Sequence, residues 1–323
     1  MIRVALIGAG SHSLSCHAPA LQRYAGQNPG KAVLAAACDL DLTKAGRAAE
    51  QFGFARACGS IDELFAPGRP RVDAVIAVTP IDTTLSITRR LLKEGVPLLI
   101  EKPLGRSIEE ARAIHAAVEI AHAGERVMVS LNRRYDPSLL TGLAWARRQG
   151  PTRYVRGTMV RSGRTEPDFV WGTGIHLIDA LWQVSGPLKL REQAAGCPAR
   201  GGNSVDCWRT AALDGKDGAM VWLEILPTAG RPWIEHIRLF GDEYCVEIQT
   251  GTAPPGLVRA YRSGHLEIDV AGSPDEPGFV SNGTYGETEA FLDAVAEGRP
   301  VPPPRVSDAL ASGELAARLQ DWQ

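Results

Sequence analysis

The first half of the chain alternates short apolar runs with stretches that carry helix start and stop signals. Ser107 with Glu110, for example, forms a capping box at the start of one such stretch. Strands that alternate with helices predict βαβ units, and near-continuous apolar strands predict a parallel sheet covered on both faces. We therefore predict an α/β Rossmann domain, a doubly wound parallel sheet, at residues 1–127. Its predicted strands are 2–7, 32–38, 72–78, 96–100 and 127–131.

In the second half of the chain, the apolar stretches follow one another at shorter spacing than in the first half, and the turns between them carry Gly, Asp and Pro. Successive strands at this spacing predict antiparallel pairing. We predict an α+β domain with a large, mainly antiparallel open sheet at residues 128–323, with the C-terminal helices expected to pack back on the Rossmann domain. The predicted strands are 153–161, 210–213, 219–226, 235–240, 244–249, 257–261 and 266–270, and the predicted helices are 174–184, 286–297 and 307–319.

Composition narrows the function classes. Of 323 residues, 35 are Lys or Arg and 37 are Asp or Glu, so the formal net charge is −2, which argues against a nucleic-acid or anionic-membrane partner. No apolar run reaches the roughly 18 residues of a membrane span, and no secretory signal is visible, so we expect a cytoplasmic protein. The six cysteines form no CxxC pair and no zinc spacing, which favours a reducing compartment and predicts no metal site.

A dinucleotide fingerprint follows the first predicted strand. In Gly8-Ala9-Gly10-Ser11-His12-Ser13, Gly8 permits the tight turn and Gly10 lets the backbone approach a pyrophosphate, whereas Ser13 replaces the third glycine. Asp39 ends the second strand, where a carboxylate can accept hydrogen bonds from ribose hydroxyls and repel a 2′-phosphate. We predict NAD as the cofactor, with NADP disfavoured. The alternatives are that Asp39 and His12 are turn residues without a binding role.

Further motifs appear in a recognisable order. The chain resembles the glucose–fructose oxidoreductase / inositol dehydrogenase (Gfo/Idh/MocA) family over essentially its whole length. The segments that carry the resemblance are Gly8-Ala9-Gly10, Asp39, Val78-Thr79-Pro80, Glu101-Lys102-Pro103-Leu104-Gly105, Asn132-Arg133-Arg134-Tyr135-Asp136-Pro137, Gly174-Ile175-His176-Leu177-Ile178-Asp179 and the tail from Glu287 to Leu319.

The resemblance implies an NAD(H)-dependent dehydrogenase acting on the CH–OH groups of a sugar, cyclitol or related polyol. It implies Lys102, His176 and Asp179 as catalytic residues and a cis bond before Pro103. Tyr135 and Arg134 lie where the chain crosses between the two predicted domains, so we expect them to contact the substrate. The resemblance also implies a homodimer or homotetramer assembled through the C-terminal sheet. The cofactor residues that follow from the fingerprint and the resemblance are Gly8, Gly10, Ser11, His12, Ser13, Asp39, Thr79, Pro80, Glu101 and Lys102.

Three places depart from the family pattern. Gly172 stands four residues before His176, where the family often has an aspartate. Residues 81–84 lack the asparagine and histidine that are usual there. Residues 171–174 replace a glycine-rich segment that leads into the helix. Two alternatives therefore stay open. One is an enzyme that holds NAD tightly and uses transient oxidation without net redox change, as epimerase-like and glycosidase relatives do. The other is a non-catalytic sensor that binds NAD or a sugar.

Overall fold

The computed structural model describes residues 1–164, 166–196, 208–227, 233–252 and 255–321. Two compact units make up the chain. The first unit is Met1–Leu131 together with Thr284–Ala311, and the second unit is Asn132–Gly283 together with Ser312–Gln323. Among the described residues, no helix is long and apolar enough to cross a membrane. Cys197 and Cys207 lie outside the described residues.

The first unit, every residue of which is described, contains a six-stranded parallel sheet in the order β3-β2-β1-β4-β5-β6. The predicted doubly wound parallel sheet is therefore confirmed. Its strands are β1 (Ile2–Ile7), β2 (Ala32–Cys38), β3 (Ala57–Cys58), β4 (Ala74–Ala77), β5 (Leu98–Glu101) and β6 (Val127–Ser130). Its helices are α1 (Ala18–Gln27), α2 (Leu42–Phe52), α3 (Ile61–Leu64), α4 (Thr84–Leu92), α5 (Ile108–Ile120) and α9 (Thr284–Ala296).

Burial on both faces explains the composition of these strands. β4 and β6 are buried along their whole length, and β1 is buried except at Arg3, which is partly exposed. The helices between them begin and end at recognisable signals. The Asp41 carboxylate accepts hydrogen bonds from the first backbone N–H groups of α2, and Gly53 ends that helix at φ 79°.

The C-terminal part of the first unit is tied to its N-terminal part by two side-chain hydrogen bonds, one partly buried and one buried. The Tyr24 hydroxyl on α1 donates to the Asp293 carboxylate on α9 at 2.7 Å, and the Ser130 hydroxyl at the end of β6 donates to Glu287 at 2.7 Å. Glu287 is fully buried. Helix α9 is therefore an integral layer of this unit, although more than 150 residues separate it from β6 in the sequence.

The described residues of the second unit form an eight-stranded sheet in the order β14-β13-β12-β11-β7-β10-β9-β8. Every pair is antiparallel except β7 with β10, so the predicted mainly antiparallel sheet is confirmed. The strands are β7 (Thr152–Val160), β8 (Lys189–Gly196), β9 (Trp208–Asp214), β10 (Met220–Leu226), β11 (Ile234–Gly241), β12 (Tyr244–Gln249), β13 (Leu257–Arg262) and β14 (His265–Ala271). The helices are α6 (Pro137–Gln149), α7 (Ile175–Ser185) and α8 (Gly278–Ser281), and α10 (Val306–Gln320) runs from the first unit into the second.

Helix α6, which the sequence pattern did not predict, packs on β12 and β13. A Cβ at Gly142 would lie 2.5 Å from the Ile248 side chain, so only glycine permits this close approach. The helix starts at Asp136, whose Oδ1 accepts from Ser138 N and Leu139 N at 2.9 and 3.2 Å. The other oxygen of Asp136, Oδ2, accepts from Gly251 N at 2.8 Å and so ties the helix to the end of β12.

We expect Asp136→Ala to lower the free energy of unfolding by about 3 kcal/mol. A lost N-cap costs about 1 kcal/mol, and a buried N–H left without an acceptor costs a further 1–3 kcal/mol. Asp41→Ala is the matched control, because Asp41 caps α2 in the same way at an exposed site, and it should cost about 1 kcal/mol. Urea unfolding measures the free energy of unfolding of both variants. Equal losses in Asp136→Ala and Asp41→Ala would contradict this account of Asp136.

Candidate functional site

A cleft of about 940 Å³ opens at the carboxyl ends of β1, β2, β4 and β5 in the first unit. Ligands in open α/β sheets bind at these ends, where the strand order reverses. Here the reversal falls at β1, which has β2 on one side and β4 on the other. All ten residues predicted to bind the cofactor line this cleft: Gly8, Gly10, Ser11, His12, Ser13, Asp39, Thr79, Pro80, Glu101 and Lys102.

The glycine turn between β1 and the following helix is constrained at one position and open at another. Gly8 has φ 91°, and a Cβ there would lie 1.9 Å from the carbonyl oxygen of Val78 at the end of the neighbouring β4. A Cβ at Gly10 would meet nothing within 4 Å, so the space beside Gly10 is open to the cleft. The helix N-terminus that follows directs backbone N–H groups toward this space, as pyrophosphate binding requires.

Asp39 lies just beyond β2 on the cleft wall. Its Oδ2 accepts from Ala9 N in the glycine turn at 2.7 Å, and its Oδ1 accepts from Asp41 N at 2.9 Å. These two bonds fix the carboxylate in one orientation. Each carboxylate oxygen still has a second lone pair with which to accept a ligand hydroxyl.

Lys102 follows β5 directly and is half-buried in the cleft wall. The Lys102–Pro103 peptide bond is cis, which confirms the expectation from the resemblance. The backbone N–H of Lys102 donates to Oε2 of Glu101 at 3.0 Å, so the lysine backbone and the preceding carboxylate form one local structure.

The other oxygen of Glu101, Oε1, lies 3.1 Å from Nε2 of His12 and 2.7 Å from Nε2 of His17. Burial alone would raise the pKa of the Glu101 carboxyl, but the hydrogen bonds of the two imidazoles outweigh it and hold that pKa well below its ordinary value. Hydrogen bonds with Cys16 and with Glu101 raise the pKa of His12 above its ordinary value. The cleft wall therefore contains a compact charged group at the junction of β5 and the first helix.

Of the remaining predicted residues, His176, Asp179, Arg134 and Tyr135 belong to the second unit. His176 lies half-buried in the first turn of α7, directly after a π-helical turn at Val170–Gly174. Such π turns occur frequently at functional sites.

Asp179 is almost fully buried, and its two oxygens accept from the Arg134 guanidinium, each at 2.7 Å. The Ser312 hydroxyl donates to the same carboxylate at 2.9 Å. The structure thus pairs two residues that the sequence analysis assigned to separate roles, one catalytic and one substrate-binding.

Several cleft residues were not among those predicted from the sequence. Lys44, Ser86 and Arg90 also line the cleft, from α2 and α4. The position of Lys44 in the first turn of the helix after Asp39 was a usable signal, since the cleft is at that helix N-terminus. No spacing in the sequence indicates that His17 meets Glu101, 84 residues away.

Comparison with known proteins finds a family match within the first unit. Residues 2–131 match the Gfo/Idh/MocA family model, which describes an oxidoreductase family with an NAD-binding Rossmann fold. Inositol 2-dehydrogenase from Rubrobacter xylanophilus is 36% identical over 110 residues, which are 32% of this chain and 29% of that protein. The matches span about a third of the length of the curated relatives.

Solved structures resemble the chain over nearly its whole length. UDP-N-acetylglucosamine 3-dehydrogenase from Acidithiobacillus ferrooxidans has a TM-score of 0.77 at 22% identity, covering 98% of this chain and 96% of that chain. Myo-inositol dehydrogenase from Corynebacterium glutamicum has a TM-score of 0.76 at 21% identity, covering 98% of this chain and 94% of that chain. At these identities the likeness shows that the fold is shared.

The two glycines of the turn predict separable defects. Gly8→Ala should destabilise the protein, because its Cβ would clash with the Val78 carbonyl in a backbone conformation that favours glycine. Gly10→Ala should leave the melting temperature within about 1 °C, since its Cβ meets no protein atom, yet weaken NADH binding at least tenfold by filling space beside the helix N-terminus. Thermal unfolding and NADH fluorescence titration measure the two effects. Unchanged NADH affinity in Gly10→Ala would place the nucleotide elsewhere.

Proposed function

We propose that this protein, whose residues 2–131 match the Gfo/Idh/MocA oxidoreductase family model, transfers hydride between nicotinamide and a CH–OH group of a sugar, cyclitol or related polyol. Sugar nucleotides and amino sugars belong to the same substrate class. Its relatives' names support this class, since they include inositol dehydrogenases and a dehydrogenase of a nucleotide-linked amino sugar.

One observation carries the proposal. The ten predicted cofactor residues, drawn from four different strand ends, line a single cleft. The residues present fit a dinucleotide: Gly10 leaves room at a helix N-terminus, and the fixed carboxylate of Asp39 suits a ribose diol. The proposed cofactor is NAD, because the negative charge of Asp39 repels the 2′-phosphate of NADP.

The proposed chemistry divides between two side chains. When bound, NAD⁺ supplies the hydride acceptor, so that a CH–OH carbon becomes a carbonyl. In the proposal the Lys102 ammonium hydrogen-bonds to the reacting oxygen and stabilises the negative charge that develops on it. The His176 imidazole takes up the hydroxyl proton in the proposal, and it serves as general base in one direction and general acid in the other.

Arg134 and Asp179 have positioning roles in this proposal. Their buried bidentate pair fixes the α7 turn on which His176 lies, three residues before Asp179. Removing either partner would leave a buried charge unpaired, which is strongly destabilising. Tyr135, next to Arg134 in the chain, remains the proposed substrate contact of this segment.

We also propose a cytoplasmic homodimer or homotetramer that associates through the sheet of the second unit. The buried Cys38 and Cys58 lie on paired positions of β2 and β3 as free thiols, which suits a reducing compartment. The proposed assembly is supported by one side of the second sheet, which exposes apolar side chains. Met220 and Phe240 are among these exposed apolar side chains, and charged pairs lie next to them. Sedimentation velocity tests the assembly, and a monomer at micromolar concentration would rule it out.

The first experiment is a fluorescence titration with NADH and NADPH, followed by a scan of polyols, amino sugars and sugar nucleotides for hydride transfer. Turnover on one class supports the proposal. Cofactor that co-purifies at about one per chain without net NADH formation supports transient oxidation instead, and binding without any chemistry supports a sensor. Failure to bind either nucleotide would overturn the proposal.

On the substrate that this scan identifies, we expect Lys102→Met to lower kcat at least 100-fold, which is the loss typical of a removed oxyanion donor. Lys93→Met, at an exposed position just after α4, is the matched control and should retain wild-type kcat. Turnover by Lys102→Met within twofold of the wild type would refute the role of Lys102.

The wild type should bind NADH at least tenfold more tightly than NADPH. Asp39→Asn removes the negative charge while keeping an acceptor for Ala9 N, so it should reduce that preference at least fivefold. Asp41→Asn serves as the control, because the Asp41 side chain caps α2 instead of lining the cleft. A preference that does not change in Asp39→Asn would show that Asp39 does not select the nucleotide.

A further inference from the structure

Three potential metal ligands converge beside the cofactor cleft. His12 Nε2, His17 Nε2 and a Glu101 carboxylate oxygen lie within 4.8 Å of one another. The residues come from two places in the chain, the helix after β1 and the end of β5, so the sheet topology brings them together. No metal site was expected, because the sequence contains no cysteine or histidine spacing typical of zinc sites. The group of His12, His17 and Glu101 does not follow such a sequence spacing.

A local irregularity of the helix aligns the two imidazoles. The segment Ser13–His17 is a π turn, in which residue i bonds to residue i+5. Five positions separate His12 from His17, so the widened turn brings both rings to the side that faces Glu101. The rings meet edge to face, with centroids 5.6 Å apart.

The three donor atoms lie close enough together to surround a small divalent ion. A tetrahedral Zn²⁺ with bonds of 2.0–2.2 Å needs donor atoms ~3.3 Å apart. The two histidine nitrogens lie 3.1 and 2.7 Å from Oε1 of Glu101, and all three donor atoms lie within 4.8 Å of one another, so an ion would enter as the donors rearrange around it. The side chain of His12 is 57% exposed and can swing outward to admit it, whereas that of His17 is 1% exposed.

The donor set also selects the class of metal. Two imidazoles and one carboxylate, with further coordination positions open, form a set that zinc and neighbouring first-row metals occupy in proteins. Magnesium and calcium prefer oxygen donors. Glu101 Oε2 is held by the backbone N–H of Lys102, so that Oε1 stays directed at the imidazoles.

We propose that His12, His17 and Glu101 form a binding site for one divalent transition-metal ion of the zinc type, with an open coordination position toward the cofactor cleft. His12 and Glu101 line that cleft, whereas His17 is the buried anchor behind them. A bound ion would cross-link the glycine-turn helix to the β5 end that carries Lys102. The proposal does not depend on the proposed dehydrogenase activity.

The test uses Co²⁺ as a spectroscopic probe on the full-length protein after EDTA treatment and buffer exchange. We expect one Co²⁺ per chain with a visible d–d band of four- or five-coordinate cobalt, and its displacement by one equivalent of Zn²⁺. His12→Ala should weaken Co²⁺ binding at least tenfold. Because His12 is largely exposed, circular dichroism should show that the fold of His12→Ala is unchanged. Glu101→Gln provides a second variant, with the same expected loss of Co²⁺ binding.

His115→Ala is the matched control. His115 is a partly exposed histidine 3.9 Å from Glu119 on α5, and the described residues show no third ligand there. Its Co²⁺ binding should equal that of the wild type. The proposal is overturned if the wild type takes up no Co²⁺, or if His12→Ala and Glu101→Gln bind it as the wild type does, since the three side chains are then a hydrogen-bonded group only.

Discussion

The parallel pairing of the first sheet is the constraint on which the candidate site depends. Parallel strands end at the same edge, so the residues that follow β1, β2, β4 and β5 must meet there, although they are far apart in sequence. The close approach of Gly8 to the Val78 carbonyl sets how near β1 and β4 can end to one another. The Asp39 carboxylate then bonds the glycine turn to the end of β2. Each of these contacts positions a cleft residue by fixing a strand end.

Burial of charge organises the second unit in a comparable way. The Glu235 carboxylate on β11 accepts from the guanidinium groups of Arg133 and Arg161, and all three side chains are buried. Buried charges of this kind are retained only where partners satisfy them, and they favour one arrangement over others that would leave a charge unpaired. Together with the Arg134–Asp179 pair, this network gives the segment after β6 a fixed path against α7 and β11.

The sequence predicted those parts of the molecule that depend on local periodicity and on short motifs. The alternation of apolar runs and capped helices was enough for the first sheet, and the glycine turn with Asp39 and Lys102 was enough for the cleft. Helix α6 was missed although Asp136-Pro137 is a good helix start and Leu139, Leu143 and Ala146 follow helical spacing. The His12–His17–Glu101 group was not predictable, since it needs both a π turn and a contact across 84 residues. The pairing of Arg134 with Asp179 likewise depends on tertiary packing that no spacing reveals.

The discontinuity of the first unit affects the order in which the protein can fold as it is made. Tyr24 and Ser130 find their partners only in α9, so a ribosome must synthesise the whole of residues 132–283 before the first unit is complete. Most of the second unit leaves the ribosome during that interval. The N-terminal part of the first unit, although first in the sequence, is therefore among the last parts of the molecule to reach its final packing, and a chain that stops at residue 131 exposes the α1 surface that α9 covers.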